Sequence, residues 1–337
     1  KLVYAYVTYI FLNCIVYTIF GIAHSALLAR MTREFKDRNT TSTISSILNN
    51  AVGLVVGTGI VGMQVKFGWT VTSIILGVTA GILILIPGLA CNETVGMKQE
   101  KENKQDIPMK KQLPVVLKNR YFWMALLIGV FTLLVNANAI AAQIYYCNVV
   151  LQDPMYMATL MSMGQLPGII ILFFMPYFSN KFSKRGFMAV GGILMVIGFA
   201  LIGIADTNRM LLLTGTIVRS IGIGPMFAGV YAFVADAADY GEWKYGIRSE
   251  GLMASSQSIG SKVGIGFGSA LTAWILAASG YVGTPGAEQS AKVVKAIRFD
   301  YGWLGAIFSV ALLVIVLLMD VEKYLPQIRE ELEKKEA

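Results

Sequence analysis

The chain has 337 residues, of which 55% are hydrophobic and only 14% are charged, and its formal net charge is +8. Soluble globular proteins have about 45–50% apolar and about 25% charged residues. A chain this poor in charged side chains cannot cover its surface with well-solvated groups, so we expect much of the surface to face lipid. Its basic residues lie in short segments between apolar stretches, which excludes a nucleic-acid-binding face.

Nine apolar segments are long enough to cross a membrane, since a helical span needs about 20 mostly apolar residues. The strands of a membrane barrel would alternate apolar and polar residues, and these long runs do not. The sequence therefore predicts an all-α polytopic membrane protein. The predicted spans are 2–28, 43–65, 68–90, 121–148, 157–178, 187–205, 210–237, 252–281 and 301–320.

Basic residues are distributed unevenly between the connecting segments. The set 29–42, 91–120, 179–186, 238–251 and the tail from 321 holds 20 Lys and Arg residues, whereas the opposite set holds five. Because short basic loops remain in the cytoplasm, the first set and the C-terminal tail are predicted to be cytoplasmic.

The charged segment 91–120 is the longest connection, with three predicted spans before it and six after it. Two six-helix halves around such a loop describe the major facilitator architecture, so we expect three further helices before residue 1. The predicted parts are the remainder of an N-terminal helix bundle (1–90), a cytoplasmic central loop (91–120), a C-terminal six-helix bundle (121–320) and a cytoplasmic tail (321–337).

Two segments carry a resemblance to a transporter family. Residues 235–262 read ADAADYGEWKYGIRSEGLMASSQSIGSK, and residues 4–38 read YAYVTYIFLNCIVYTIFGIAHSALLARMTREFKDR. The first resembles the signature of the glycoside–pentoside–hexuronide:cation symporters, and the second resembles their fourth helix and its basic loop. The resemblance implies a twelve-helix major facilitator fold, of which about nine helices are present, and uptake of a sugar across a bacterial cytoplasmic membrane.

The same resemblance implies that Na+, H+ or Li+ drives the uptake. It implies no cofactor other than this coupling cation. We expect a monomer whose partners are a small sugar, the cation and the lipid bilayer, and no nucleic acid.

Lys262 is the sharpest single position, because it lies about three turns inside the span 252–281. A cation in mid-membrane costs several kcal/mol unless it meets a carboxylate or a wet cavity. By resemblance it matches the family's membrane-embedded lysine at the sugar and cation sites, so we expect it to bind substrate; a structural lysine is the alternative. Gln257 offers an amide that can bind sugar hydroxyls or pack between helices.

A charge cluster follows the span 210–237. Asp236 and Asp239 are three residues apart and share a helix face, and Glu242 and Arg248 come shortly after them. We predict a gating role for these four residues, as a salt-bridge latch between the two halves. Direct coupling chemistry and a solvated loop are the alternatives. The segment 180–186, NKFSKRG, resembles a degenerate loop motif of the superfamily and is predicted to brace this region.

Other candidates come from the first and fourth spans. By resemblance, Thr18 lends an oxygen to the cation, and the adjacent Tyr17 is a second cation-binding candidate. A threonine that bonds its own helix backbone is the alternative. Asn136 and Tyr145 place an amide and an aromatic ring in an otherwise apolar helix, and these groups suit the hydroxyls and the apolar face of a pyranose. A tyrosine at a helix end is also a common interfacial anchor.

Two positions depart from the pattern of the melibiose-carrying member of the family. Gly21 stands where that member has a sugar-binding aspartate, and Ser46 aligns with its sugar-site arginine. Losing both charges changes which hydroxyls can be recognised, so we expect a substrate other than melibiose. A transporter of an amphiphile such as a lysolipid, or an inactive fragment, is the alternative.

An enzyme is not expected. His24 is the only histidine, and the three cysteines are scattered along the chain. The sequence therefore lacks a nucleophile–base or metal-ligand constellation.

Overall fold

A computed structural model describes residues 2–17, 19–20, 35–90, 109–181, 183–247, 250–284 and 287–336. All regular secondary structure in these residues is helical, which confirms the predicted all-α fold. Six helices in this part of the chain are long and apolar enough to cross a membrane. They are Lys66–Ile86, Arg120–Val150, Lys184–Ala205, Arg209–Tyr245, Ser258–Ser279 and Ala291–Ile328.

The chain divides into two compact units. The first comprises Lys1–Val56 and Gly62–Asp106, and the second comprises Gly57–Val61 and Ile107–Ala337.

Helix α1 (Leu2–Ile10) continues as a π-helix over Phe11–Val16, and α2 spans Phe35–Ala90. Helix α2 is broken at Gly68, whose φ of 76° and ψ of 170° suit a residue without a side chain. The break separates the predicted spans 43–65 and 68–90. Beyond it, Trp69, Ile74 and Ile82 are all more than half exposed, as side chains that face lipid would be.

The second unit contains the remaining helices. They are α3 (Met109–Lys118), α4 (Arg120–Tyr145, continuing as a π-helix over Tyr146–Val150), α5 (Tyr156–Lys181), α6 (Lys184–Ala205), α7 (Arg209–Tyr245), α8 (Glu250–Ser279), α9 (Ala291–Arg298), a π-helix over Phe299–Leu304, α10 (Gly305–Leu318) and α11 (Leu325–Glu336). Four of them begin at a polar residue whose side chain accepts a hydrogen bond from the first turn, namely Asn119, Ser183, Asn208 and Ser290.

The segment 238–251 was predicted to be a loop, but its first part is helical. Helix α7 continues to Tyr245 and ends at Gly246, where φ is 70° and the backbone N–H bonds to Glu242 O. The charged run after Asp236 suggested a loop, but the helix carries these charges out beyond its apolar part.

Close approach between helices depends on glycine. Carbons built as Cβ at Gly264 and at Gly222 would each lie 2.5 Å from a backbone oxygen, of Val130 in α4 and of Gly191 in α6 respectively. Real Cβ atoms do not approach so closely, so α4–α8 and α6–α7 pack backbone against backbone. Small residues commonly permit such packing between membrane helices.

Gly264→Ala should therefore lower the thermal stability of the detergent-purified protein, because α4 and α8 must separate; about 1–3 kcal/mol is the usual cost of overpacking. The matched control is Gly266→Ala, since a Cβ there meets no described atom within 4 Å and alanine favours a helix. Equal melting temperatures for the two variants would contradict this packing.

Candidate functional site

Acidic and basic side chains within the candidate membrane spans of the second unit include Arg219 and Asp236 in α7, Lys262 in α8 and Asp300 in the π-helix before α10. Ionisable groups inside membrane-spanning segments are costly and usually functional. These positions are therefore candidates for a functional site.

Helix α8 presents three different faces. Gly260, Gly264 and Gly268 pack against α4. A second face is exposed and carries large apolar side chains, namely Ile259, Phe267 and Trp274. At 100° per residue, a third, adjacent face is formed by Ser258, Lys262, Gly266, Ser269 and Ala273, all of them exposed. We call this third face the Lys262 strip.

The Lys262 strip differs from a lipid-facing surface. Its side chains are small or polar, whereas the neighbouring exposed face carries the bulky apolar residues that lipid favours. No hydrogen bond or ion pair of the Lys262 ammonium is recorded among the described residues. A water-filled surface is therefore the environment that fits this strip.

Asn136 lies on the helix that packs against α8. A Cβ at Gly268 would contact Asn138 N and Ala137 Cβ, which places Asn136 near the level of Gly268. It lies about two turns further along the helix pair than Lys262. Asn136 is partly buried, and its amide has no recorded hydrogen bond within the described part of the chain. The structure thus places Lys262 and Asn136 on the same α4–α8 pair, without direct contact.

Tyr145 lies at the other end of α4, about four turns from the level of Lys262. Its ring packs edge-to-face on Tyr281, with 5.3 Å between the centroids. This arrangement resembles an interfacial anchor more than a part of the Lys262 strip.

The remaining binding candidates are less defined. Tyr17 is 71% exposed on the first unit. Thr18 and Arg248 lie outside the described residues, as does the side chain of Gln257.

Asp236 is buried and forms an ion pair inside the second unit. The Lys184 ammonium donates to both of its carboxylate oxygens, at 2.7 and 2.8 Å, and Lys184 belongs to the segment NKFSKRG. The contact joins α6 to α7 and agrees with a bracing role for that segment. Asp239 and Glu242 are partly buried on the same helix. A latch between the two halves stays a prediction.

Further polar contacts join other helices at this end of the second unit. Asn119 donates to Ala237 O at 2.8 Å. Asp320 accepts from the Arg120 guanidinium and from the Tyr121 hydroxyl, both at 2.7 Å. These contacts tie the start of α4 to α7 and to the segment after α10.

A second polar cluster lies deeper inside the second unit, and the carboxyl at its centre was not predicted. Asp300 is 1% exposed, and its carboxylate accepts a hydrogen bond of 2.8 Å from Asn138 Nδ2. The same amide donates to Thr272 Oγ1 at 3.0 Å. The predicted span began at Tyr301, one residue too late to include Asp300. The helical segment in fact runs from Ala291 and buries this carboxyl.

Arg219 was also missed, although its sequence signal was clear: it is a basic residue within the predicted span 210–237. It is 4% exposed, and its guanidinium carbon lies 5.2 Å from the Phe199 ring centroid. Its Nε and Nη1 have no hydrogen-bond partner among the described atoms. A Cβ at Gly164 would lie 3.2 Å from Nη2, so the glycine leaves room for the guanidinium.

Lys184→Ala should destabilise the protein by about 1–3 kcal/mol, because it removes two hydrogen bonds to a carboxylate that is only 6% exposed. The exposed pair of Arg209 with Asp153, at 3.0 Å, is the control. Arg209→Ala should cost less than about 1 kcal/mol. Thermal unfolding in detergent measures both variants, and a larger effect of Arg209→Ala would contradict the assignment.

Comparison with known proteins gives one consistent result. Residues 1–323 match the family model described as MFS/sugar transport protein. The chain is 28% identical to the isoprimeverose transporter of Lactiplantibacillus pentosus, with all of this chain and 71% of that protein aligned. It is 26% identical to the glucuronide carrier protein homolog of Escherichia coli (strain K12), over 94% of this chain and 69% of that protein.

A third similar protein is the lactose permease of Lactobacillus delbrueckii subsp. bulgaricus. It is 26% identical over 80% of this chain and 45% of its own length. These similar proteins are named as transporters, carriers or permeases, and none as an enzyme. Since the family model covers nearly the whole chain, the protein belongs to the MFS/sugar transport protein family.

Proposed function

We propose that the protein is a secondary active transporter that carries a sugar together with a cation across the bacterial cytoplasmic membrane. The match to the family over residues 1–323 carries this proposal. Similar proteins whose names specify isoprimeverose, glucuronide and lactose support a glycoside, pentoside or hexuronide as the substrate. The coupling cation is Na+, H+ or Li+, and the C-terminal tail lies in the cytoplasm.

The Lys262 strip supports a sugar over an amphiphile. A sugar is covered with hydroxyl groups and needs a hydrated path lined by small and polar side chains, as this strip is. A lipid-like substrate would favour the bulky apolar side chains of the neighbouring face of α8. Lys262 then supplies a hydrogen-bond donor to the sugar and a positive charge that a carboxylate of the cation site balances. Asn136, on the adjacent helix, supplies an amide.

Coupling follows from differential binding. A ligand shifts a conformational equilibrium only by its difference in affinity for the two states. If sugar and cation both bind best to the state in which the cavity is closed, each increases the affinity for the other. The charge of Lys262 provides the physical link, because filling the cation site changes the electrostatic environment of the side chain that contacts the sugar.

Counterflow of radiolabelled sugars into proteoliposomes tests this function. A glycoside, a pentoside and a hexuronide should be compared with and without a Na+, Li+ or pH gradient. At least one sugar should accumulate, and one gradient should increase the accumulation. Absence of sugar movement under every gradient would contradict the proposal.

Lys262→Ala should reduce gradient-driven accumulation to the level of protein-free vesicles, because the variant loses the charge that links the two ligands. The control is Lys295→Ala, which removes an exposed lysine of α9 and should leave uptake unchanged. Unchanged accumulation in Lys262→Ala, with normal expression, would refute the role of this residue.

A further inference from the structure

The carboxyl of Asp300 is buried within a span where an ionised group is unfavourable. It lies in the π-helix Phe299–Leu304, inside the apolar segment Ala291–Ile328. Asn138 from α4 and Thr272 from α8 enclose it, and these side chains are 0% and 2% exposed. The three groups thus come from three different helical segments and meet out of reach of solvent.

No basic group neutralises Asp300 in the described part of the chain. On α9, the Arg298 guanidinium pairs with Asp206, Lys292 donates to Ala278 O at 3.2 Å, and Lys295 is exposed. On α7, the Arg219 guanidinium lies over the Phe199 ring.

The hydroxyl groups of the nearby tyrosines form their recorded hydrogen bonds with groups other than the Asp300 carboxyl. The hydroxyl of Tyr301, the next residue, lies 3.4 Å from Gln143 Oε1. The ring of Tyr146 packs on Tyr301, and its hydroxyl donates to Asp206 O. No charged or titratable side chain in the described residues therefore has a recorded contact with the Asp300 carboxyl.

One acceptor of the cluster has no donor among the described atoms. Asn138 Nδ2 donates to both Asp300 and Thr272, whereas Asn138 Oδ1 is buried and has no hydrogen-bond partner in the described part of the chain. An ionised carboxylate only accepts hydrogen bonds, but a protonated one also donates. A carboxamide presents its oxygen where its nitrogen was after a half-turn about its terminal bond. A proton on Asp300 would then be donated to Asn138 Oδ1.

We propose that Asp300 is a proton-binding site: at neutral pH it holds one proton from water as a carboxylic acid, facing Asn138 and Thr272. The only change is addition of H+ to a carboxylate oxygen, with no other bond made or broken. The proton is favoured over a metal cation because direct contacts of 2.8 and 3.0 Å leave no gap for an ion between the amide and its two partners. Separation of α4, α8 and the π-helix would hydrate the carboxyl and release the proton.

Infrared spectroscopy tests this site independently of transport. The purified protein, in detergent at neutral pH, should show a protonated-carboxyl C=O stretching band that shifts in D2O and disappears when the pH is raised. Asp300→Asn should remove this band. Asp206→Asn, which alters the carboxyl that pairs with Arg298, should leave it. A neutral-pH spectrum without such a band, or a band that persists in folded Asp300→Asn, would overturn the proposal.

A second pair of variants keeps the carboxyl in place, in case Asp300→Asn does not fold. Thr272→Val should shift the band, because it removes a hydroxyl beside the carboxyl at nearly constant volume. Thr132→Val is the matched control, since the buried Thr132 hydroxyl bonds to Ile128 O of its own helix and the band should not move. Equal spectra of the two variants, or loss of the wild-type band on adding Na+ or Li+ at constant pH, would contradict a proton at this position.

Discussion

The cost of placing charge in a lipid-facing helix bundle governs the arrangement of this molecule. A charged side chain inside a span costs several kcal/mol unless it is paired, neutralised or hydrated. Three residues of the second unit have different surroundings that reduce this cost. Asp236 is paired with Lys184, and Asp300 is surrounded by neutral hydrogen-bonding groups. Lys262 is exposed on a strip of small and polar residues. The two carboxyls lie at contacts between helices, whereas the lysine is exposed.

Helix α8 has three faces, and each suits a different environment. Its glycines bring it against the backbone of α4, its bulky apolar face suits lipid, and the Lys262 strip suits water. Rotation of α8 by one residue position would move Lys262 toward the apolar face, so the glycine packing also determines where the charge points. The close α4–α8 contact therefore fixes the direction in which the Lys262 side chain leaves α8.

Much of this architecture could be predicted from the sequence, because long apolar runs and basic loops are direct consequences of a bilayer. Lys262 can be singled out because a charge stands out in an apolar run, and the ADAADYGEWK segment because its resemblance is specific, whereas a substrate-binding role for Lys262 stays a prediction. The helical part of the segment 238–251 was missed because charge was taken as a sign of a loop. Asp300 was missed because the apolar run begins after it, and only the packing of Asn138 and Thr272 against it reveals its burial. The partnership of Asp236 with Lys184 joins residues far apart in sequence, and no local pattern predicts it.

Coupled binding of sugar and cation has a direct thermodynamic test. Isothermal titration of the purified protein with its transported sugar should be performed in Na+, in Li+ and in choline at several pH values. One cation should increase the sugar affinity, and the sugar should increase the affinity for that cation by the same factor, since linkage is reciprocal. Sugar affinity that is identical under all of these conditions would contradict cation-coupled transport.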